Sequence, residues 1–223
     1  MRRFILWSLV LLLPLMVSCS PSPRAAVARG CADAEAACLQ GKATVLMSTS
    51  RGEITIEVDG DAAPLTAGNF VDLVRRGTYD GTMFHRVVRE PVPFVVQGGD
   101  PQSSDRSVPL SQLGTGSFVD PDNGVARMIP LELSFQGEDA PRYSRVSSNP
   151  SELQDLVLTH ERGAVAMARS QAPDSASAQF YIALRPLPEL DGRYAVFGRV
   201  VKGLDLVDTI EQGDRIQTAR LSD

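Results

Sequence analysis

A chain of 223 residues, 43% of them apolar, is long enough for one domain with extensions, and a domain of that size is stable without metal or disulfide staples. Its net charge is −5, and without Met1–Ser18, which carries Arg2 and Arg3, the remainder stands at −7 (−5 − 2). An acidic chain with no Lys/Arg cluster lacks the basic face that displaces counterions from phosphates, so no nucleic acid is expected among its partners.

The N-terminus reads as an export signal. Arg2 and Arg3 form a basic end, Phe4 to Val17 an apolar run too short to span a bilayer comfortably, and Ser18-Cys19 a small-residue junction. LMVSC, ending at Cys19, resembles the lipobox of bacterial lipoproteins, with Met16 where leucine is usual. That resemblance implies a signal peptide over 1–18, lipid attachment at Cys19 with the membrane as a partner, and a periplasmic location. SPSPRAAVAR, Ser20 to Arg29, is small and Pro-punctuated, so 19–41 reads as a flexible tether and 42–223 as the folded domain. Cys31 and Cys38 are exported with it. A helix between them would hold them ~10 Å apart, so a disulfide requires a non-helical loop, and free thiols are the alternative.

From Lys42 the pattern is strand-like. ATVLMSTS turns at Arg51-Gly52 into EITIEV, where Ile54, Ile56 and Val58 alternate with polar residues as in a hairpin with one wet face. DAAPLTAGNFVDLVRRG predicts a helix, with Pro64 in its first turn, Leu65, Phe70, Leu73 and Val74 as its apolar stripe and Gly77 as its stop. A second helix is predicted in GLDLVDTIEQG, with Leu204, Val207 and Ile210 on one face. MFHRVV, PFVVQG, IPLELSF, GAVAMA, QFYIAL, YAVFGRVV and RIQTARL read as further strands. Few helical segments separate them, which predicts an antiparallel sheet closed into a barrel with helices over its ends. Gln136 to His160 is polar and reads as a long surface excursion with at most one helical turn.

Several chemistries lack their residues. His85 and His160 are isolated and no Cys-x-x-Cys accompanies them, so no metal site and no cofactor is expected. DPDNG at Asp120 places glycine fifth and Leu131 twelfth, against the calcium-loop pattern, and GTGS at Gly114 lacks a phosphate-loop lysine. No Gly-x-Ser-x-Gly elbow exists. What remains is an arginine in a strand, an apolar run and glutamines at strand ends, a set able to hold an extended peptide and an apolar side chain.

GTMFHRVV, PFVVQGGDP, AVAMARS, SAQFYIAL and LDGRYAVFGRV resemble, in this order, the signature segments of cyclophilins, the peptidyl-prolyl cis/trans isomerases, and PLTAGNFVDLVRRGTYDG resembles their first helix. The resemblance runs from Val45 to Leu221. It implies a mainly β fold, a closed eight-stranded antiparallel barrel capped by two α-helices, with a peptide groove outside. It further implies Arg86 as the catalytic arginine. Phe94, Met167, Tyr181 and Leu190 would line the proline pocket; Gln97, Ala168, Arg169 and Gln179 would hold the peptide backbone; Tyr194 stands where many members carry histidine. Proline-containing polypeptides are the implied substrates. A non-catalytic proline-peptide-binding or chaperone module on the same fold is the alternative.

The physics of these residues agrees with that assignment. Rotation about Xaa-Pro is opposed by amide resonance, and in the twisted state the prolyl nitrogen becomes pyramidal and basic. A permanently charged donor such as arginine stabilises that state more than the planar one, with no nucleophile or base required. His85, next to Arg86 on a strand, faces the opposite side and is expected to pack in the wall. Three departures stand out: Glu189 where tight cyclosporin binders carry tryptophan, which implies weak cyclosporin binding; a VVREPVP connection longer than usual after Arg86; and the enlarged Gln136 to His160 excursion.

Overall fold

The computed structural model describes residues 30–31 and 38–222. The segment read as an export signal, Cys19 and most of the span read as a tether lie outside them. Eight antiparallel strands form the main sheet: β1 (Lys42–Thr49), β2 (Gly52–Asp59), β3 (Arg86–Val88), β4 (Val95–Gly98), β7 (Ala164–Met167), β8 (Phe180–Ala183), β9 (Val196–Lys202) and β10 (Ile216–Leu221). Two further strands, β5 (Glu132–Leu133) and β6 (Arg142–Tyr143), pair with each other apart from it. IPLELSF therefore leaves the main sheet, and its partner comes from the excursion that reads as irregular in sequence.

The order β10-β1-β2-β9-β7-β8-β4-β3 leaves β10 and β3 as edges, so the sheet is a strongly curled one and not the closed barrel expected. The reason is length. β3 has only three residues, and the gap to β10 is spanned just before it by an isolated Met83–Arg215 bridge, with Phe84 N–H donating to Asp214 O and Ile216 N–H to Thr82 O. Register shifts at Ser48/Thr49, Thr55/Ile56 and Val165/Ala166 add the local twist that curls it.

Strand alternation divides the side chains between two clusters. Val96, Val165, Met167, Phe180, Ile182 and Phe197 face inward, where α1 (Pro64–Arg75) covers them with Phe70, Leu73 and Val74. Val95, Ala166, Tyr181 and Ala183 face outward into a second cluster with Phe94, Leu190 and Tyr194. That outer cluster is the site.

The predicted stripe of α1 is buried throughout, but its N-terminus has no local side-chain cap. Glu132 supplies one from β5, accepting from Leu65 N–H at 3.1 Å, Thr66 N–H at 2.7 Å and the Tyr143 hydroxyl at 2.9 Å. The orphan donors of the first turn are thus satisfied by a distant carboxylate, which the helix dipole also favours. The second predicted helix is one turn, α3 (Leu204–Val207). A further turn, α2 (Pro150–Leu153), lies in the excursion.

Packing begins ahead of β1. Cys31 and Cys38 form a disulfide with Cα atoms 5.6 Å apart, Cys31 Sγ lies 3.9 Å from the Tyr143 hydroxyl, and Leu39 packs on the inner cluster while its N–H donates to Pro64 O. Within the span read as a tether, 30–31 and 38–41 therefore lie against the domain. No helix among the described residues is long and apolar enough to cross a membrane.

Candidate active site on the outer face

Register places the site. Arg86 on β3 is directly opposite Gln97 on β4, Gln97 is opposite Tyr181 on β8, and Tyr181 is opposite Ala166 on β7. Residues opposite one another share a face, so an arginine, an amide and an aromatic ring stand in one outward row. Arg86 Nη1 donates to Gln97 Oε1 at 3.2 Å, Gln97 Nε2 donates to Gln179 Oε1 at 3.2 Å, and Gln179 Nε2 donates to Gly116 O at 2.8 Å.

The chain of amides is anchored below. Asp100, fully buried, accepts from Gly114 N–H at 2.6 Å and Gly116 N–H at 3.2 Å, and its other oxygen caps the short turn Pro101–Ser104 through Gln102 N–H. Gly116 must lack a side chain, because a Cβ there would fall 2.0 Å from Asp100 Oδ1. The loop that receives Gln179 is thereby fixed to a buried charge. Arg86 is exposed, and among the described residues its only side-chain hydrogen bond is to Gln97, with no carboxylate partner to neutralise it. A half-oriented, unpaired cation results.

Beside it is a cleft of about 150 Å³ with an apolar side formed by Phe94, Val95, Ala168, Tyr181, Leu190 and Tyr194 and a polar edge formed by Arg86, Gln97 and Arg169. Tyr194 meets Tyr181 edge to face with centroids 5.8 Å apart, and the Arg169 guanidinium lies 4.8 Å over the Tyr194 ring while donating to Arg193 O. Gln97, Ala168 and Arg169 also border an adjoining hollow of about 330 Å³ above Gly116 and Gln179. A chain segment could therefore lie across both, with an apolar ring in the first.

Of the residues singled out in sequence, Met167 is not in the cleft. It is 1% exposed and packs in the inner cluster, since it falls between Ala166 and Ala168, whose side chains take the outer face. Val95, two residues before Gln97 and so on its face, lines the cleft instead. The long VVREPVP connection leaves the Arg86–Gln97 register intact, and Arg89 holds it down by donating to Val207 O at 3.2 Å and Ile210 O at 2.8 Å at the end of α3. The enlarged excursion braces the cleft from behind, with Ser147 N–H donating to Gly192 O at 3.0 Å. Gly192 has φ +71°, and a Cβ would meet Ser147 O at 2.3 Å, so only glycine fits that turn.

His85 is buried at 7% exposure, and neither ring nitrogen has a hydrogen-bond partner among the described residues. Burial pushes its imidazole below the usual histidine range, with Asp100 pulling the other way, and the ring lies against the loop at Gly114 and does not line the cleft. No group of three or more His, Cys, Asp or Glu side chains among the described residues could hold a metal ion.

A small cleft of mixed lining, with an arginine at its rim and amides along one side, offers orientation and positive charge but no paired nucleophile and base. The family model for cyclophilin-type peptidyl-prolyl cis-trans isomerases matches residues 44–223, and the chain belongs to that family of isomerases. It is 39% identical over 193 residues to a Synechocystis protein named as a thylakoid lumen peptidyl-prolyl cis-trans isomerase, covering 82% of this chain and 48% of that one. A Brucella abortus peptidyl-prolyl isomerase is 33% identical over 176 residues, 78% of this chain and 74% of its own. The chain thus spans about half the length of the first relative and about three quarters of the second. A Cryptosporidium parvum cyclophilin crystal structure shares the fold, with a TM-score of 0.60 at 22% identity over 82% of this chain and 98% of that one.

Proposed function

We propose that the chain catalyses cis/trans rotation of Xaa-Pro bonds in exported polypeptides, with Arg86 as the catalytic residue. The observation that carries this is the exposed Arg86 guanidinium, with no carboxylate partner among the described residues and bonded to Gln97 at the rim of a cleft sized for one side chain, whose apolar side could hold a proline ring. The proline ring sits among Phe94, Val95, Tyr181 and Leu190. Gln97, Ala168, Arg169 and Gln179 take the backbone that precedes it, and the remaining peptide rotates. Binding energy is spent on orientation. As the amide twists, its nitrogen gains a lone pair, and an Arg86 N–H not engaged by Gln97 donates to it. The planar ground state offers no such acceptor, so the interaction lowers the barrier without merely tightening binding.

Replacement of Arg86 by alanine is expected to lower kcat by about 100-fold, roughly 3 kcal/mol, the scale of one oriented transition-state donor, while peptide still binds. Exchange NMR on a short Xaa-Pro peptide with the domain from Gly30 onward reads both quantities. Wild-type exchange rates in Arg86→Ala would remove the arginine from the mechanism.

Two finer readings rest on other residues. Glu189 leaves the rim before Leu190 without an indole and is held by Arg185 at 2.7 Å, so cyclosporin binds weakly; a nanomolar dissociation constant by calorimetry would contradict this. The basic, apolar and LMVSC segments support export with lipid anchoring at Cys19 on the periplasmic side, and the lumenal name of the Synechocystis relative agrees with export. Mass spectrometry of the mature N-terminus should find a diacylated Cys19; an unmodified residue at any other position would refute the anchor.

A further inference from the structure

Beneath the cleft lies a buried polar chain that the isomerisation mechanism does not use. The Tyr181 ring is a cleft wall, but its hydroxyl points inward, 2.8 Å from His160 Nε2. His160 Nδ1 is 2.7 Å from Asp191 Oδ1, which also accepts the His160 backbone N–H at 2.8 Å. His160 O in turn accepts Leu187 N–H at 2.8 Å. The imidazole is 1% exposed and its plane is 10° from that of Tyr181, with centroids 5.9 Å apart.

The donors can be assigned from chemistry. Burial pushes the Tyr181 phenol far above its ordinary range, so it stays protonated and donates. Nε2 then accepts, the ring proton sits on Nδ1, and it is given to the Asp191 carboxylate. Both ring nitrogens of His160 and the Tyr181 hydroxyl are thereby engaged.

Its two ends belong to opposite walls. Tyr181 is on β8, whereas Asp191 follows directly on Leu190 at the end of the short turn Pro188–Leu190 and leads within three residues to Tyr194. We propose that His160 is a positioning residue that sets the width of the cleft, tying the Tyr181 wall to the Leu190 wall so that together they fit a proline ring. The inference rests on this cleft being the isomerase site. Because the walls grip the ring alike in the planar and twisted states, loosening them weakens binding uniformly, raising KM and leaving kcat. A purely structural role would instead lower the active fraction, and with it kcat, at constant KM.

The test uses Tyr181→Phe, which removes only the hydroxyl, His160→Asn, whose short amide reaches Asp191 but not Tyr181, and the double variant. Each single change is expected to raise KM for an Xaa-Pro peptide about threefold to tenfold, the scale of one hydrogen bond, with kcat held within about twofold. The double variant should be no worse than the poorer single, since both cut the same link. His160→Gln, whose amide oxygen reaches the position of Nε2, should recover part of the loss. Wild-type KM in Tyr181→Phe, or additive losses in the double variant, would overturn the inference. If that happens while Arg86→Ala still slows turnover by about 100-fold, the width-setting role alone fails; if Arg86→Ala turns over normally, the site itself is misplaced.

Discussion

The outward row Arg86, Gln97, Tyr181 depends on one constraint, the antiparallel register of β3, β4 and β8. A slip of one residue in β4 would turn Gln97 into the inner cluster and put Val96 beneath Arg86, because side chains alternate with a period of two. The same register decides that Ile182, Val96 and Val165 fill the interior while Tyr181, Val95 and Ala166 face the cleft. Core and proposed site are thus two faces of a single pairing. The tight fit of Phe70, Tyr79, Phe180 and Phe197 on the inner side, with ring centroids 4.9 to 5.5 Å apart, is what makes that slip costly.

Around this row the polar groups are ordered by burial. Asp100 is sealed beneath the Gly114–Gly116 loop, Gln179 lies at the boundary, Gln97 is half-buried and Arg86 is exposed. An interior charge that loses its donors is strongly destabilising, so Asp100 fixes its loop, and the loop passes that order outward through two amides. A long arginine side chain would otherwise sample many rotamers, and holding it in advance reduces the entropy that must be lost as the prolyl amide twists. The His160 link performs the corresponding task for the apolar wall. Glu132 does so for the helix that backs the sheet.

Much of this was legible in the sequence, and the reasons are local. The alternation in EITIEV, the stripe and stops of DAAPLTAGNFVDLVRRG and the order of the segments that resemble the cyclophilin signatures specified β2, α1 and the neighbourhood of Arg86, Phe94, Gln97 and Tyr181. That the sheet stays open was not legible, because it turns on β3 ending after three residues. Met167 lies inward because Ala166 and Ala168, its neighbours in the chain, take the outer face. Val95 is found by the same alternation from Gln97. Asp191, His160 and Tyr181 are 31 and 21 residues apart in pairs, and no short pattern joins them. Glu132 capping a helix 66 residues away is equally invisible before folding.

If Gln97 acts on the reaction through Arg86, the two positions are energetically coupled. A double-mutant cycle of Gln97→Ala and Arg86→Lys, read as kcat for exchange of an Xaa-Pro peptide, measures that coupling. Gln97→Ala should slow the wild type by about tenfold and have little further effect once Arg86 is lysine, a coupling of about 1 kcal/mol or more. Equal losses from Gln97→Ala in both backgrounds would mean that the amide acts on the peptide alone and that the chain from Asp100 to Arg86 does not position the arginine.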